Sequence, residues 1–447
     1  MSNTIVNPAA PVPSGPLAQE STFEAFLQSH AGENAWIESK RREAWQQFQA
    51  LEMPKRKDET WRFASRLQLD FADYHLGDKP AAEVVDCVVS GSNLHSRTEA
   101  RLVFADNHLV HVDPISPELS EKGVIFESLP EAIVQHADLL ERYLFQEEAH
   151  LGSEKFMALH HALSHGGGVV FVPKGVVIES PLMIYHWTTQ PNVAVFPHTL
   201  VIAEESASVN VIDVFQSVSP TLPALCIASG NIYAGANAQV LRKCVQNWSS
   251  QTLSFQADAT AVRRDATTKT LAVNLGGKRS RFENQVRMAE PGSHATLYSL
   301  TVAQGDQEFD QRTFQSHDAP NAVSDLLYKN ALLDNSRTIF SGMIQVAKDA
   351  QQTDAYQTNR NLLLSPTADA NSLPGLEIKA NDVKCSHGAT TGQLDPEELF
   401  YMMQRGIPKR VAQQLMVFGF FEEVIEKFED PEIQESVRKL VQSKFHL

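Results

Sequence analysis

Hydrophobic and polar positions follow three patterns along this chain. Up to about residue 165, apolar residues mostly recur every three or four positions. From about residue 166 to 380, short apolar runs alternate with turns, and after residue 394 the wider spacing returns. The wider spacing is typical of helices that bury one face, and short β-branched runs between turns are typical of strands. The pattern predicts a β-rich centre between two helical ends.

Four regions follow from this pattern. Residues 1–20 are rich in Pro, Ala, Ser and Gly and have little apolar periodicity, so we expect a disordered tail. Residues 21–165 form an N-terminal region of helices and strands. Residues 166–394 form the β-rich core, and residues 395–447 form a C-terminal helical region.

The N-terminal region mixes both kinds of element. Its spacing predicts one helix from Ser21 and a second over residues 34–51. Residues 84–112 predict strands, which begin with a run of valines and include a hairpin around an Asp-Asn turn at 106–107. Residues 129–164 return to helical spacing.

The core repeats itself loosely. Three similar turns align at Ala207, Ala238 and Ala295, which gives offsets of 31 and 57 residues, the second about twice a period of 28. Short strands that recur at such a period indicate a solenoid. A β-helix fits better than a sandwich because strong hairpin dipeptides are scarce. Its two open ends need caps, and the flanking helical segments are the natural candidates.

The C-terminal region carries clear helix signals. Asp395 is suited to cap a helix that starts at Pro396, Gly406 is suited to end that helix, and Asp430-Pro431 repeats the start signal. Packing against the end of the solenoid and docking of a partner both stay open, and one helix can do both. The large apolar residues concerned are Phe400, Tyr401, Met402, Met403, Met416, Phe418, Phe420 and Phe421.

Composition narrows the class of protein. The net charge of −16 argues against broad binding to nucleic acid or to an anionic membrane. The N-terminus has no basic start with an apolar core, and no apolar run approaches the roughly 18 residues of a membrane span. Four cysteines without a Cys-x-x-Cys pair indicate a reducing compartment. We therefore expect a soluble cytoplasmic protein.

Cys385 and His387 form the most suggestive chemical pair. Residues two apart in an extended segment face the same side, so a thiolate and an imidazole there can act together as metal ligands. The plainer alternative is that Cys385 is a small buried hydrophobe and His387 a surface residue. His160, His161 and His165 also lie close in sequence, but neighbours on a helix diverge, which disfavours a three-histidine metal site.

Five segments match one family signature in combination. They are residues 317–320, 354–357, 359–365, 376–378 and 383–392, the last of which contains Cys-Ser-His. Together they resemble the SufB/SufD family of iron–sulfur cluster assembly proteins, and the match runs from about residue 165 to 428.

The N-terminal part indicates the branch within that family. Residues 36–48 followed by 54–63 resemble the SufD branch rather than the SufB branch. The lack of further cysteines in Cys-x-x-Cys spacing agrees with SufD.

The resemblance implies a mainly β fold, with a right-handed parallel β-helix core between helical N- and C-terminal regions. It implies a non-catalytic scaffold subunit that pairs with a SufB protein, docks the ATPase SufC and contributes to the site of a transient iron–sulfur cluster at the SufB interface. His387 is the implied ligand and Cys385 a second candidate, with no cofactor held tightly by the isolated chain.

SufC docking is implied for the C-terminal helices, and a homodimer is plausible for the isolated chain because an edge that pairs with SufB can also pair with itself. The candidate SufC contacts are Asp395, Leu399, Phe400, Met403, Val411, Leu415, Phe418 and Phe421.

Two other functions compete with the scaffold. A β-helix enzyme could act on acidic polysaccharides with paired carboxylates from among Asp310, Asp318, Asp354 and Asp382. A stand-alone metal-binding protein is disfavoured because four clustered ligands are not apparent. The chain has no phosphate-binding Gly-x-x-x-x-Gly-Lys-Ser/Thr loop, so ATP hydrolysis would belong to a partner.

Overall fold

The computed structural model describes residues 15–55, 57–64, 71–148 and 150–445. Strands form a solenoid, and helices lie before and after it in the chain. None of the helices in these ranges is long and apolar enough to cross a membrane.

The helices fall into an N-terminal and a C-terminal group. Short 3₁₀ turns accompany them at Pro16–Ala18, Glu59–Trp61 and Glu426–Phe428. The α-helices are α1 Glu20–Ser29, α2 Ala35–Ala50, α3 Ala82–Gly91, α4 Pro117–Glu121, α5 Leu129–Gln135, α6 Ala137–Tyr143, α7 Glu154–Leu163, α8 Pro396–Gln404, α9 Lys409–Ile425 and α10 Pro431–Ser443.

Most strands of the solenoid are about ten residues long. They are β1 His75–Leu76, β2 Ala100–Ala105, β3 His108–Asp113, β4 Ile125–Ser128, β5 Gly168–Val172, β6 Leu182–Thr188, β7 Val193–Val195, β8 His198–Ala203, β9 Ser208–Ser217, β10 Ala224–Ala234, β11 Gln239–Asn247, β12 Leu253–Val262, β13 Thr267–Asn274, β14 Arg279–Met288, β15 His294–Ala303, β16 Glu308–His317, β17 Val323–Leu332, β18 Arg337–Val346, β19 Asp354–Leu363, β20 Asp369–Ile378 and β21 Lys384–Gln393.

Each coil gives one strand to each of two facing sheets. Sheet A runs β4-β5-β8-β10-β12-β14-β16-β18-β20, with β1 and β7 attached beside β10, and sheet B runs β3-β2-β6-β9-β11-β13-β15-β17-β19-β21. From β8 and β9 onward the pairing is parallel. Thr267 stacks on His294, 27 positions later, and Ser208 on Gln239, 31 positions later. The predicted β-helix with a period near 28 is confirmed.

The lumen between the sheets has an apolar side and a polar side. Val211, Ile232 and Val262 belong to a continuous buried apolar cluster. On the polar side, amides bridge successive coils, as where Asn330 Nδ2 donates to Asn361 Oδ1 at 2.8 Å. Buried amides of this kind must be hydrogen-bonded, so they fix the stacking of one coil on the next.

Helices α1, α2, α5, α6 and α7 cover the outer face of sheet A. Phe48 of α2 and Phe156 of α7 share a buried cluster with Phe255 of β12, and the rings of Phe156 and Phe255 stack with centroids 4.3 Å apart. Helices α5 and α6 bury Leu129 and Leu140 in a neighbouring cluster. The helices predicted from Ser21, over 34–51 and over 129–164 are all present.

The C-terminal helices cover the outer face of sheet B. Phe421 of α9 and Val437 of α10 are buried in one cluster with Leu271 and Leu300 of sheet B. A salt bridge of 2.6 Å joins Lys329 to Glu423 of α9. These helices bury apolar outer positions of the strands, which would otherwise face water.

The two ends of the solenoid differ from the expected helical caps. The first coil is closed by the β2–β3 hairpin and by the segment that carries Leu119 and Phe126, which join the luminal cluster. The hairpin turns at Asp106 and Asn107 with positive φ, as predicted. No helix of the described part of the chain covers the last coil, and α9 and α10 pack along the outer face of sheet B.

Two local predictions are wrong. The valine run at 84–89 lies in helix α3 rather than in a strand, and it buries Val88 against the surface of sheet B. The expected disordered tail does not reach residue 20, because Pro16–Ala18 is a 3₁₀ turn with Leu17 fully buried. Residues 1–14 lie outside the described residues.

Candidate functional site

The last coil forms the open end of the solenoid. Strand β20 pairs only with β18, and β21 pairs only with β19, within the part of the chain that the structure describes. Each strand is ten residues long, so two rows of backbone donors and acceptors are left at this end. Unpaired strand edges are templates for pairing with another chain.

Cys385 and His387 lie on β21, and both face the luminal side. Cys385 stacks on Ala355 and packs against the buried cluster around Ile344, and His387 stacks on Gln357. Thr391, at the same parity, accepts a hydrogen bond from luminal Asn361 at 3.3 Å. The predicted sharing of one face by thiol and imidazole is therefore present in the structure.

The two side chains differ in exposure. Cys385 is half-buried, and His387 is exposed because no further coil covers it. Burial, reinforced by the charge of Asp354, raises the pKa of the Cys385 thiol. A raised pKa keeps the thiol protonated in the isolated chain, and a metal cation would have to displace that proton.

A complete ligand set is absent from this chain alone. Among the described residues, no three His, Cys, Asp or Glu side chains converge to hold a metal ion. Beneath His387, Gln357 is buried and its Oε1 has no hydrogen-bond partner, so this oxygen is free to orient an imidazole N–H from below. The last coil offers two soft or borderline donors and would need others from outside.

Helix α8 is the most exposed apolar element near this end. No residue of α8 is buried, and Phe400, Tyr401 and Met403 are 62%, 59% and 42% exposed. Asp395 caps the helix by accepting a hydrogen bond from the Glu397 amide at 2.8 Å. The predicted start of α8 at Pro396 is confirmed.

The predicted docking residues do not share one surface. Phe421 is fully buried against sheet B and Phe418 is partly buried beside it, so Phe421 has no free surface for a partner. Leu415 is 48% exposed on α9, whereas Leu399 and Val411 are half-buried. The helical spacing placed Val411, Leu415 and Phe418 correctly on one helix but could not show which side of α9 faces the sheet.

Two exposed apolar residues were not among the predicted site residues. Tyr401 projects from α8 beside Phe400, and Ile378 is 41% exposed at the end of β20. Ile378 stacks on luminal Val346, 32 positions earlier, so extending the coil repeat by one step would have identified it. It adds an apolar contact to the open end.

The histidines 160, 161 and 165 do not form one group. His165 packs near His30 and His108, whereas His160 lies 3.2 Å from His198, between Nε2 and Nδ1. Burial lowers the pKa of His160 to about 4. These are buried neutral side chains that hold helices against sheet A.

The carboxylates of the competing enzyme hypothesis are not gathered in one cleft. Asp310 is fully buried and forms salt bridges with Arg281 at 2.5 Å and Arg312 at 2.6 Å. Asp318 and Asp382 are exposed and Asp354 is half-buried, and each lies in a later turn or strand than Asp310. A carboxylate locked between two arginines is unsuited to proton transfer.

Two family models match this chain. The family model described as "SUF system FeS cluster assembly, SufBD core domain" matches residues 186–420, and the "SufBD protein N-terminal region" matches residues 22–184. The iron–sulfur cluster assembly protein SufD of Bacillus subtilis is 28% identical over 94% of this chain and 97% of its own length.

Other relatives agree with that match. A SufBD family iron–sulfur cluster assembly protein of Synechocystis is 28% identical, over 92% of this chain and 91% of its own. One from Staphylococcus haemolyticus is 29% identical over 68% of this chain and 65% of its own. The core match alone spans more than half of the 447 residues. The chain belongs to the SufBD family of iron–sulfur cluster assembly proteins of the SUF system.

Proposed function

We propose that this chain is a scaffold subunit that pairs end to end with a SufB-like protein and shares with it the site of a nascent iron–sulfur cluster. The observation that carries the proposal is the last coil: Cys385 and His387 sit on the luminal side of β21, which pairs with β19 on one edge and has no strand on its other edge among the described residues. A second solenoid stacked on this edge would cover both side chains. Its own donors would complete the ligand set.

Edge pairing gives the interface both affinity and register. Strands β20 and β21 each present ten residues of backbone, and Ile378 adds exposed apolar surface beside them. Backbone hydrogen bonds across two strands align the partner, and the side chains that alternate along them select it. The same edge also allows a homodimer when the partner is absent.

The chemistry of Cys385 and His387 suits a cluster that is bound temporarily and then released. Thiolate and imidazole both bind iron, but two donors from one chain hold a cluster less firmly than four. A site divided between chains therefore releases its cluster when the chains separate. Because the pKa of Cys385 is raised by burial, we expect cluster loading to increase with pH until the thiol ionises.

Replacing His387 by alanine should lower the iron and sulfide retained by the purified complex. We expect a loss of about tenfold or more, since even residues that only support metal ligands contribute that much to affinity. The measurement is iron and acid-labile sulfide per complex, after co-expression with SufB-like and SufC-like proteins. His387 is exposed, so the substitution should leave the fold of this chain intact, and co-purification shows whether the complex assembles.

Thr391→Val is the matched control, because Thr391 lies on the same luminal face of β21 as His387. It should leave iron content close to wild type. Unchanged iron in His387→Ala, with the complex intact, would show that the pair is structural and that the cluster lies elsewhere. Absence of a complex with the wild-type chain would contradict the scaffold role itself.

The C-terminal helices are proposed to dock a SufC-like ATPase through α8. The exposed side chains of Phe400, Tyr401 and Met403 form the surface, and Leu415 adds to it from α9. Only two residues separate the end of β21 at Gln393 from the start of α8 at Pro396. Force applied to α8 by a nucleotide-driven partner would therefore reach the edge strand that carries Cys385.

Replacing Phe400 by alanine should weaken SufC binding by about 2 kcal/mol, a factor of roughly 30, as for a central aromatic anchor. Surface plasmon resonance with a purified SufC-like protein would measure the change. Val134→Ala is the control, because Val134 is 61% exposed on α5, far from α8 in the chain. Equal affinities for both variants would remove α8 from the docking surface.

A further inference from the structure

A cavity of about 480 Å³ lies between the C-terminal helices and the turns of the solenoid. Its solenoid wall comes from stacked turns that connect sheet B to sheet A, at residues 250–251, 278, 304–307 and 333–334. Its other wall comes from Arg410, at the start of α9, and from Lys444 and Phe445, just beyond α10. The volume falls within the range of small-molecule sites, about 300–1,000 Å³.

Three cationic side chains line this cavity without a carboxylate partner. No described Asp or Glu lies within salt-bridge distance of Lys278, Arg410 or Lys444. The guanidinium of Arg410 donates only to the Phe445 carbonyl, at 2.9 Å. In a chain with net charge −16, this concentration of unpaired positive charge marks a site for an anion.

Two aspartates in the same wall, Asp306 and Asp334, accept hydrogen bonds from uncharged donors of neighbouring turns. Asp334 accepts a hydrogen bond from the Gly305 amide at 2.8 Å, and Asp306 accepts one from Asn335 at 3.4 Å. Both contacts tie one solenoid turn to the next. Both aspartates keep their charge, but among the described residues neither forms a salt bridge with Lys278, Arg410 or Lys444, so the wall keeps an excess of one positive charge.

Burial disfavours the charged amine of Lys444. It is half-buried, and burial lowers the pKa of its amine to about 8. An anion within hydrogen-bond distance would favour the charged amine and reverse that shift.

We propose that this cavity binds a small phosphate-bearing anion, held by Lys278, Arg410 and Lys444. Arginine offers a planar fork for two phosphate oxygens, and the lysines add point charges around it. The ligand would join α9 and α10 to the turns of the solenoid, on the flank that leads to α8. This site is separate from the last coil and does not depend on a cluster there.

The experiment is titration of the full chain with inorganic phosphate and with ribose 5-phosphate, by calorimetry at constant ionic strength. We expect saturable binding of at least one probe, weakened about tenfold or more in Lys278→Gln, as for loss of a charge-assisted hydrogen bond. Lys278 is exposed, so this variant should fold normally. Lys348→Gln, at another exposed lysine, should bind like wild type.

A second measurement follows Lys444 directly. In reductively methylated protein, the NMR-detected pKa of Lys444 should rise when phosphate is added and stay constant when the same ionic strength is reached with chloride. Preference for ribose 5-phosphate would indicate an organic phosphate, and equal binding would indicate the phosphate group alone. Absence of saturable binding of both probes at millimolar concentration, or equal weakening in Lys348→Gln, would overturn the proposal.

Discussion

Acidification from pH 7 to pH 5 should lower the free energy of unfolding by about 6 kcal/mol through three buried histidines alone. Burial lowers the pKa of His160, His186 and His317 to about 4, against an ordinary value of 6.5. Below pH 6.5 these histidines are therefore protonated in the unfolded chain, whereas in the folded chain they stay neutral until about pH 4. Stability is complete above pH 6.5 and falls through this window, by about 2 kcal/mol per histidine at pH 5.

The three rings are held in separate places, so their contributions should add. His160 hydrogen-bonds the Ile227 carbonyl beneath α7, and His317 contacts Ser324 inside the lumen at 2.9 Å. The ring of His186 stacks with Phe215, also on the luminal side. Burial shifts His161, His165 and His198 in the same direction. It raises the pKa of Asp106, Glu148 and Asp258, which opposes the effect. The shifted histidines outnumber these three carboxyls.

Urea unfolding at several pH values between 5 and 8 would measure the slope of stability against pH. His317→Gln removes one titrating group but keeps a polar side chain, so its slope should be shallower by up to one proton. His150→Gln is the control, because His150 is exposed, and its slope should match wild type. A wild-type stability that is constant between pH 7 and pH 5 would contradict this account.

The solenoid was predictable because its signal is local and repeated. Short β-branched strands and similar turns recur at a nearly constant spacing, and neighbouring coils stack at that spacing. The shared face of Cys385 and His387 follows from strand geometry in the same way. Caps at Asp395 and Asp430 were readable because each accepts hydrogen bonds from the first turn of its own helix.

Helix α3 shows where local signals fail. Its valines have high strand propensity, but the helix buries Val88 and partly covers Val84 against the sheet B cluster, at a spacing of four. Tertiary packing outweighs a propensity difference of a few tenths of a kcal/mol per residue. The apolar positions of α3 are visible in the sequence, but their pattern did not decide correctly between a helix and a strand.

The placement of the C-terminal helices depends on distant partners. The apolar face of α9 was predictable, but the choice between the end and the side of the solenoid depends on contacts such as Lys269 with Glu429, at 2.7 Å and 160 residues apart. His95 likewise meets Asp430 at 3.0 Å. The sequence pattern does not show these long-range pairs. Phe421 was therefore predicted to contact a partner, although it is buried in the core.

Replacing Arg242 by methionine should destabilise the fold by about 3–5 kcal/mol at neutral pH, as when one partner of a buried ion pair is removed. Arg242 lies on the polar side of the lumen, with salt bridges of 2.8 Å to Asp213 and Asp258. Gly230 makes room for it, since a Cβ there would lie 2.4 Å from the guanidinium. Burial disfavours the charge, but the two carboxylates outweigh burial and raise the pKa of Arg242.

Without Arg242, the buried carboxylates of Asp213 and Asp258 lose their cation, and a proton must be taken up by one of them or by His186, whose Nε2 lies 4.0 Å from Asp213. A buried carboxyl with a raised pKa costs more as pH rises, so the loss in Arg242→Met should be larger at pH 8 than at pH 6. Urea unfolding at both values would measure it. Arg264→Met, at an exposed arginine, should change stability by less than about 0.5 kcal/mol.

The triple variant Asp213→Asn, Arg242→Met, Asp258→Asn distinguishes charge from packing. It removes every charge of the group while keeping side chains of similar size, and it should recover most of the lost stability. Recovery would mean that the lumen needs balanced charge at this coil rather than an ion pair as such. If Arg242→Met costs less than about 1 kcal/mol, water reaches the lumen and solvates the aspartates, and the coil is less sealed than its burial indicates.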